Sequence, residues 1–218
     1  NGVLLGLLLS LYFPWSALLP PLIIAAGGLS AMLTQQWLKR VRVSHYLPAY
    51  TAPFVGLGWV LLCFATPSTK AHLIEINTLN MLAAPLKGFG QVMFLGHPLA
   101  GAMIAVGLLI ADRRAFCWAM LASVAGMGGS LLHHDFYSAL LGLGGYNCVL
   151  AALALSSLRQ HPLLPLLGIA FALLLTPVFA AVGLPTLTAP FILACWLIRP
   201  AIQVLGTVTI NRAPCLPE

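Results

Sequence analysis

Charge is what this chain has least of. Only 6% of its 218 residues are Asp, Glu, Lys or Arg, and just four are acidic. A water-soluble domain carries about 25% charged residues, so water could not solvate a surface built from this composition. Soluble enzymes and soluble binding modules are excluded on that ground, and lipid is left as the solvent for most of the surface. The net charge of +6 does not point to nucleic acid, because the ten basic residues stand singly or in short groups between apolar runs. They read as topology signals. Cysteine is sparse: positions 63, 117, 148, 195 and 215 contain no CxxC, and the first four lie within apolar runs. They read as small buried residues, which excludes a disulfide framework or a zinc site. P-loop, GxSxG and HExxH motifs are absent, so no enzyme activity, cofactor or metal is expected. The chain also lacks an initiator Met, a signal peptide and a polar lead-in, and reads as cut at its start.

What the chain has is apolar runs; 61% of it is hydrophobic. Stretches near spanning length cover 1–14, 17–35, 50–66, 98–111, 115–132, 138–157, 163–181 and 187–204. Segment 81–95 is apolar but interrupted by Pro85, Gly88 and Gly90, and reads as a broken or partly inserted helix. Irregular backbone at membrane depth survives only inside protein or along a cavity. With eight spans, Lys39, Arg40, Arg42, Arg113, Arg114, Arg159, Arg199 and Arg212 fall on one side, and Lys70 and Lys87 in a loop on the other. The crowded side is expected to be cytoplasmic.

Internal similarity organises these runs. Residues 47–54 read LPAYTAPF and residues 184–191 read LPTLTAPF, with Trp59 and Trp196 at the same offset beyond them. Upstream, NGVLLGLLLS at 1–10 matches NCVLAALALS at 147–156 at six of ten positions. The boxes open the third and eighth spans, and an odd step of five turns the second copy over in the membrane. The expected fold is therefore an all-α polytopic transmembrane protein with two inverted repeats, whose re-entrant or broken helices line a central pore. Residues 1–66 read as part of the first repeat, 67–80 as a linker, 81–204 as the second repeat and 205–218 as a tail. The repeat predicts a native protein of ten spans, eight of them within this stretch.

GFGQVMF at 88–94, HPLAG at 97–101, GLGGYNCVL at 142–150 and both LPxxTAPF boxes together resemble the urea transporter family. The resemblance covers nearly the whole chain. It implies five spanning helices and one re-entrant helix per half, a homotrimer with a pore in each subunit, and passive passage of urea through the bilayer. It also implies polar pore contacts from Gln91, Thr51 and Thr188, an aromatic wall from Phe94, and Val92 beside the same path. Asn147 sits in the glycine–aromatic–Asn motif. Asp135 lies slightly upstream of an acidic position common in the family, and the first-copy partner of Gln91 falls outside these residues.

The residue types suit the solute. Urea is planar and neutral, with four N–H donors and one carbonyl, and dehydrating it without replacement costs about 1–3 kcal/mol per lost hydrogen bond. A row of uncharged acceptors between flat apolar walls replaces those bonds. Pro53 and Pro190 are expected to free an upstream carbonyl, at Ala49 or Tyr50 and at Thr186 or Leu187, to face the solute. Alternatives are a channel for another small amide or ammonia, an ion-coupled secondary transporter, or an intramembrane enzyme using His133, His134 and Asp135. Compact loops point to a bacterial inner membrane.

Overall fold

The computed structural model describes residues 1–44, 47–65, 77–158 and 162–211, for residues 42–44 and 202–211 in backbone only. Lys70, Arg159, Arg212, most of the expected linker and the last residues of the tail lie outside the described residues. Among the described residues ten helices follow one another: α1 (Gly2–Tyr12), α2 (Leu19–Ser44), α3 (Ala52–Leu62), α4 (Thr78–Gln91), α5 (Pro98–Ala111), α6 (Arg113–Leu132), α7 (Phe136–Leu141), α8 (Tyr146–Ser156), α9 (Leu163–Ala181) and α10 (Ala189–Asn211). Among the described residues there is no strand.

Side-chain caps set several of the starts. Asn77 accepts from Asn80 N–H at 2.7 Å and opens α4. Asp112 accepts from Arg114 and Ala115 N–H at 2.9 and 3.1 Å and turns α5 into α6 through a single residue. Asp135 does the same for α7, accepting from Ser138 N–H at 3.0 Å.

Helix length divides the elements. At 1.5 Å per residue, a bilayer core of about 30 Å needs about 20 residues. Among the described residues, the 20 residues of α6 and the 19 of α9 are long and apolar enough to cross. The 14-residue helices α4 and α5 are not, reaching only about 21 Å each. They form a hairpin, joined by a turn in which Leu95 N–H returns to Gly90 O at 3.0 Å and Phe94 takes φ +58°.

Segment 138–157, expected to be one span, is two helices. Gly142 ends α7 with φ +76°, while Leu143 N–H bonds Ser138 O at 2.9 Å and Gly142 N–H bonds Ala139 O at 3.2 Å. This left-handed C-terminal motif favours glycine. A side chain at Gly142 would also strike the backbone of Lys87 and Gly88 on α4. The chain restarts as α8 at Tyr146, where Gly126 of α6 packs directly on the backbone of Gly144 and Gly145.

Burial is reversed relative to a water-soluble helix bundle. On α5, Leu99, Met103, Val106 and Ile110 form an exposed apolar stripe, whereas small residues, Gly101 and Ala105, face inward. Small residues inside and large apolar ones outside is how helices pack in lipid. At the centre, α8 is enclosed by α4, α6, α9 and α10, while α1 meets only α2 and α3 among the described elements. The matched pair Val149 and Val3 records the difference, at 1% and 74% exposed.

Candidate functional site: the paired threonine boxes

The two LPxxTAPF boxes meet where α3 approaches α10. Tyr50 and Leu187, at the same place in each box, adopt left-handed φ of 43° and 38°. That bend turns the next residue of each box toward the other. Thr51 Oγ1 lies 2.7 Å from Thr188 Oγ1, a direct hydrogen bond between residues 137 apart in sequence. Two hydroxyls hold two protons and four lone pairs. Their mutual bond uses one of each and leaves one donor and three acceptor sites.

The contacts around this pair are reciprocal. Trp59 Nε1 donates to Pro185 O at 2.8 Å, and Trp196 Nε1 donates to Pro48 O at 2.8 Å. Each tryptophan thus fastens its own helix to the opposite box. Trp196 stacks on Trp37 of α2 with centroids 5.6 Å apart, and Trp59 packs on Phe179 of α9 at 6.0 Å. Asn1 Nδ2 donates to Tyr50 O at 3.1 Å, and Asn147 Nδ2 donates to Leu187 O at 3.0 Å. These exchanges follow an approximate two-fold relation between α1–α3 and α8–α10.

The α4–α5 turn adds the third component. Gln91, at the end of α4, donates Nε2 to Leu141 O at 3.0 Å. Leu141 is the last residue of α7, and its carbonyl has no further helical turn to accept from. The bond fixes the amide orientation and leaves Gln91 Oε1 as an acceptor. Val92 follows, half-buried. The Phe94 ring meets the fully buried Phe54 edge-on, with centroids 6.1 Å apart. The aromatic ring of the α4–α5 turn thereby approaches the first box.

The urea transporter family model matches residues 1–201. The chain belongs to that family. It is 27% identical over 228 residues to urea transporter 1 of sheep (Ovis aries) and equally to urea transporter 1 of goat (Capra hircus), covering 89% of this chain. It spans 58% of the length of each of these relatives. Membership makes the chain part of an integral membrane protein.

In this chain the structure joins Thr51 with Thr188, and Phe94 with the Phe54 of the first box. Asn147 is fully buried, and its amide is spent on Leu187 O and on Phe191 N–H, which reaches Oδ1 at 3.4 Å. It braces the second box instead of facing a solute. Asp135 is exposed, at the end of α7 away from Leu141, and its carboxylate caps that helix. His133 and His134 are exposed beside it, and among the described residues no group of three or more His, Cys, Asp or Glu is placed to hold a metal.

Pro53 and Pro190 do not free carbonyls as expected. Both are the second residue of their helix, where a backbone N–H has no helical partner to lose. Ala49 O accepts from Ala52 N–H at 2.9 Å and Thr186 O from Ala189 N–H at 3.0 Å. The carbonyls of Tyr50 and Leu187 are taken by Asn1 and Asn147, and Leu187 O also accepts from the Tyr146 hydroxyl. Lys87, expected in a loop, is buried within α4. Sequence reasoning misses the parts played by Tyr146, Trp37 and Phe54. Tyr146 stands in the glycine–aromatic–Asn motif next to Asn147, a position that could have drawn attention to it.

Proposed function

We propose that this chain forms part of a passive, selective urea pathway, with the solute passing the hydroxyl pair Thr51–Thr188. The observation that carries this reading is the 2.7 Å bond between those two side chains, one from each box. Thr188 is 4% exposed and no ionisable residue belongs to either TAPF segment. A neutral solute with four N–H donors suits three open lone pairs in an apolar setting better than an ion does. Urea sheds water, gives its N–H groups to the threonine oxygens and to Gln91 Oε1 in turn, and presents its faces to Phe94 and the neighbouring apolar groups. Val92 lies along the same wall. No step needs an ion gradient or a cofactor.

The halves divide as residues 1–66 and 81–204, inverted with respect to each other, and the reciprocal tryptophan bonds support that division. The working assembly is a homotrimer in which each subunit carries its own pathway. Connections as short as Asp112 between α5 and α6 favour a compact bacterial inner-membrane protein.

Urea flux into proteoliposomes tests the reading. Reconstituted protein should pass urea at a rate indifferent to proton and sodium gradients, and Thr188→Val should slow it. Uptake that requires an ion gradient would replace the channel with a coupled transporter. Hydrolysis of urea lost on mutating His134 would replace it with an enzyme.

A further inference from the structure

Lys87 is the one basic side chain buried among the described residues, at 8% exposed. It lies on α4 one helical turn before Gln91, on the same face. Its Nζ donates to Leu140 O at 3.1 Å, and among the described residues no carboxylate pairs with it. The next carbonyl, Leu141 O, receives Gln91 Nε2 at 3.0 Å. Leu140 and Leu141 close the six-residue α7, and the backbone N–H groups that follow bond to Ser138 and Ala139 instead. The two side chains of α4 therefore occupy two carbonyls that the helix leaves open. A lone amide or hydroxyl could do that for Leu140 O at a smaller cost of burial. An ionisable group within the membrane, unpaired by any acid, is expensive to place and marks a function by default.

We propose that Lys87 is the cation-excluding residue of the pathway: its charge, set one turn from the Gln91 acceptor, admits neutral urea and rejects solutes of the same shape that carry a positive charge. The inference rests on the urea reading above. The acceptor oxygens of Thr51, Thr188 and Gln91 would otherwise attract a planar cationic N–H donor more strongly than urea. Guanidinium is that solute, since it replaces the urea oxygen with a third nitrogen and keeps the trigonal plane. At about 6 Å separation and an effective dielectric constant of about 20, repulsion by one charge disfavours the cation roughly a hundredfold, while urea is unaffected.

The experiment measures urea and radiolabelled guanidinium uptake in proteoliposomes holding the full-length protein, for wild type, Lys87→Met, Lys87→Gln and Lys87→Arg. The expected result is urea uptake in all four. The guanidinium-to-urea flux ratio should rise roughly a hundredfold in the Met and Gln variants. Lys87→Arg, which keeps the charge, should stay within a few-fold of wild type. A ratio unchanged in the neutral variants overturns the proposal, as does a wild-type protein that admits guanidinium. Loss of urea flux in both neutral variants overturns it too, since Lys87 would then serve only to hold the end of α7. A wild-type protein that passes no urea overturns the urea reading instead.

Discussion

Replacing Thr188 with Val keeps the branched shape of the side chain and removes its hydroxyl. The bond at 2.7 Å to Thr51 Oγ1 is lost, and with it the paired acceptors that urea meets at the junction of the two boxes. Thr188 is 4% exposed, so little water is available to substitute. One unreplaced hydrogen bond costs about 1–3 kcal/mol. If that cost falls on the barrier, urea flux drops about 5- to 150-fold, since about 1.4 kcal/mol is tenfold. Stopped-flow light scattering of proteoliposomes under an inward urea gradient reads the rate directly. Thr188→Ser, which keeps the oxygen, should recover most of it. Because the two threonines touch, the double variant Thr51→Val with Thr188→Val should cost less than the sum of the single ones. A Thr188→Val protein within twofold of wild type, or strictly additive losses, would refute the reasoning.

Other perturbations separate bracing from conduction. Trp196→Phe removes the donor to Pro48 O, and Trp59→Phe the donor to Pro185 O. Trp196→Phe should destabilise the detergent-solubilised protein by about 1–3 kcal/mol through a part-buried unsatisfied carbonyl, and Trp59→Phe by less because Pro185 is exposed, both measured as a lower thermal unfolding midpoint; an unchanged midpoint for Trp196→Phe would contradict the clasp. Asn147→Ala strands Phe191 N–H and removes one of the two donors to Leu187 O, leaving the Tyr146 hydroxyl, in a fully buried site. A loss of about 2–4 kcal/mol should appear as early aggregation in a thermal ramp monitored by size exclusion. Pro190→Ala, by contrast, should leave urea flux within twofold of wild type, because a proline in the first helical turn withholds no bond; a large drop in flux would restore a conducting role for the freed carbonyl. Gly142→Ala must hold a side chain at φ +76° against the backbone of α4, so lower yield of folded protein is expected, and a normal yield would show that the α7–α8 break tolerates other geometry.

The apolar runs and the box motif are legible in the sequence because they are local properties of the chain. The pairing of Thr51 with Thr188 is visible there as matched spacing, but not as contact. Two similar motifs can lie far apart, and only the left-handed turns at Tyr50 and Leu187 bring these together. The break at Gly142–Gly145 is hidden for a different reason. In a segment buried on all sides, hydrophobic periodicity carries no phase, so two short helices look like one long one. Lys87 is misplaced by the same uniformity: near Pro85 and Gly88 the pattern suggests a loop, whereas α4 continues through both, with Ser123 donating to Pro85 O at 2.6 Å. The roles of Asn147 and of the two prolines depend on which carbonyls are already occupied. Partners drawn from 40 or more residues away, as Asn147 and Leu187 are, leave no trace in local sequence.

The central claim is that the solute passes along the hydroxyl pair Thr51–Thr188, and an anomalous diffraction experiment addresses it most directly. Crystals of the full-length protein soaked with selenourea, collected at the selenium edge, should give a difference peak within contact distance of Thr51 and Thr188 and of Gln91. A peak found only on the outer apolar surface of α5 or α9, with the threonine pair unvisited, would contradict the account.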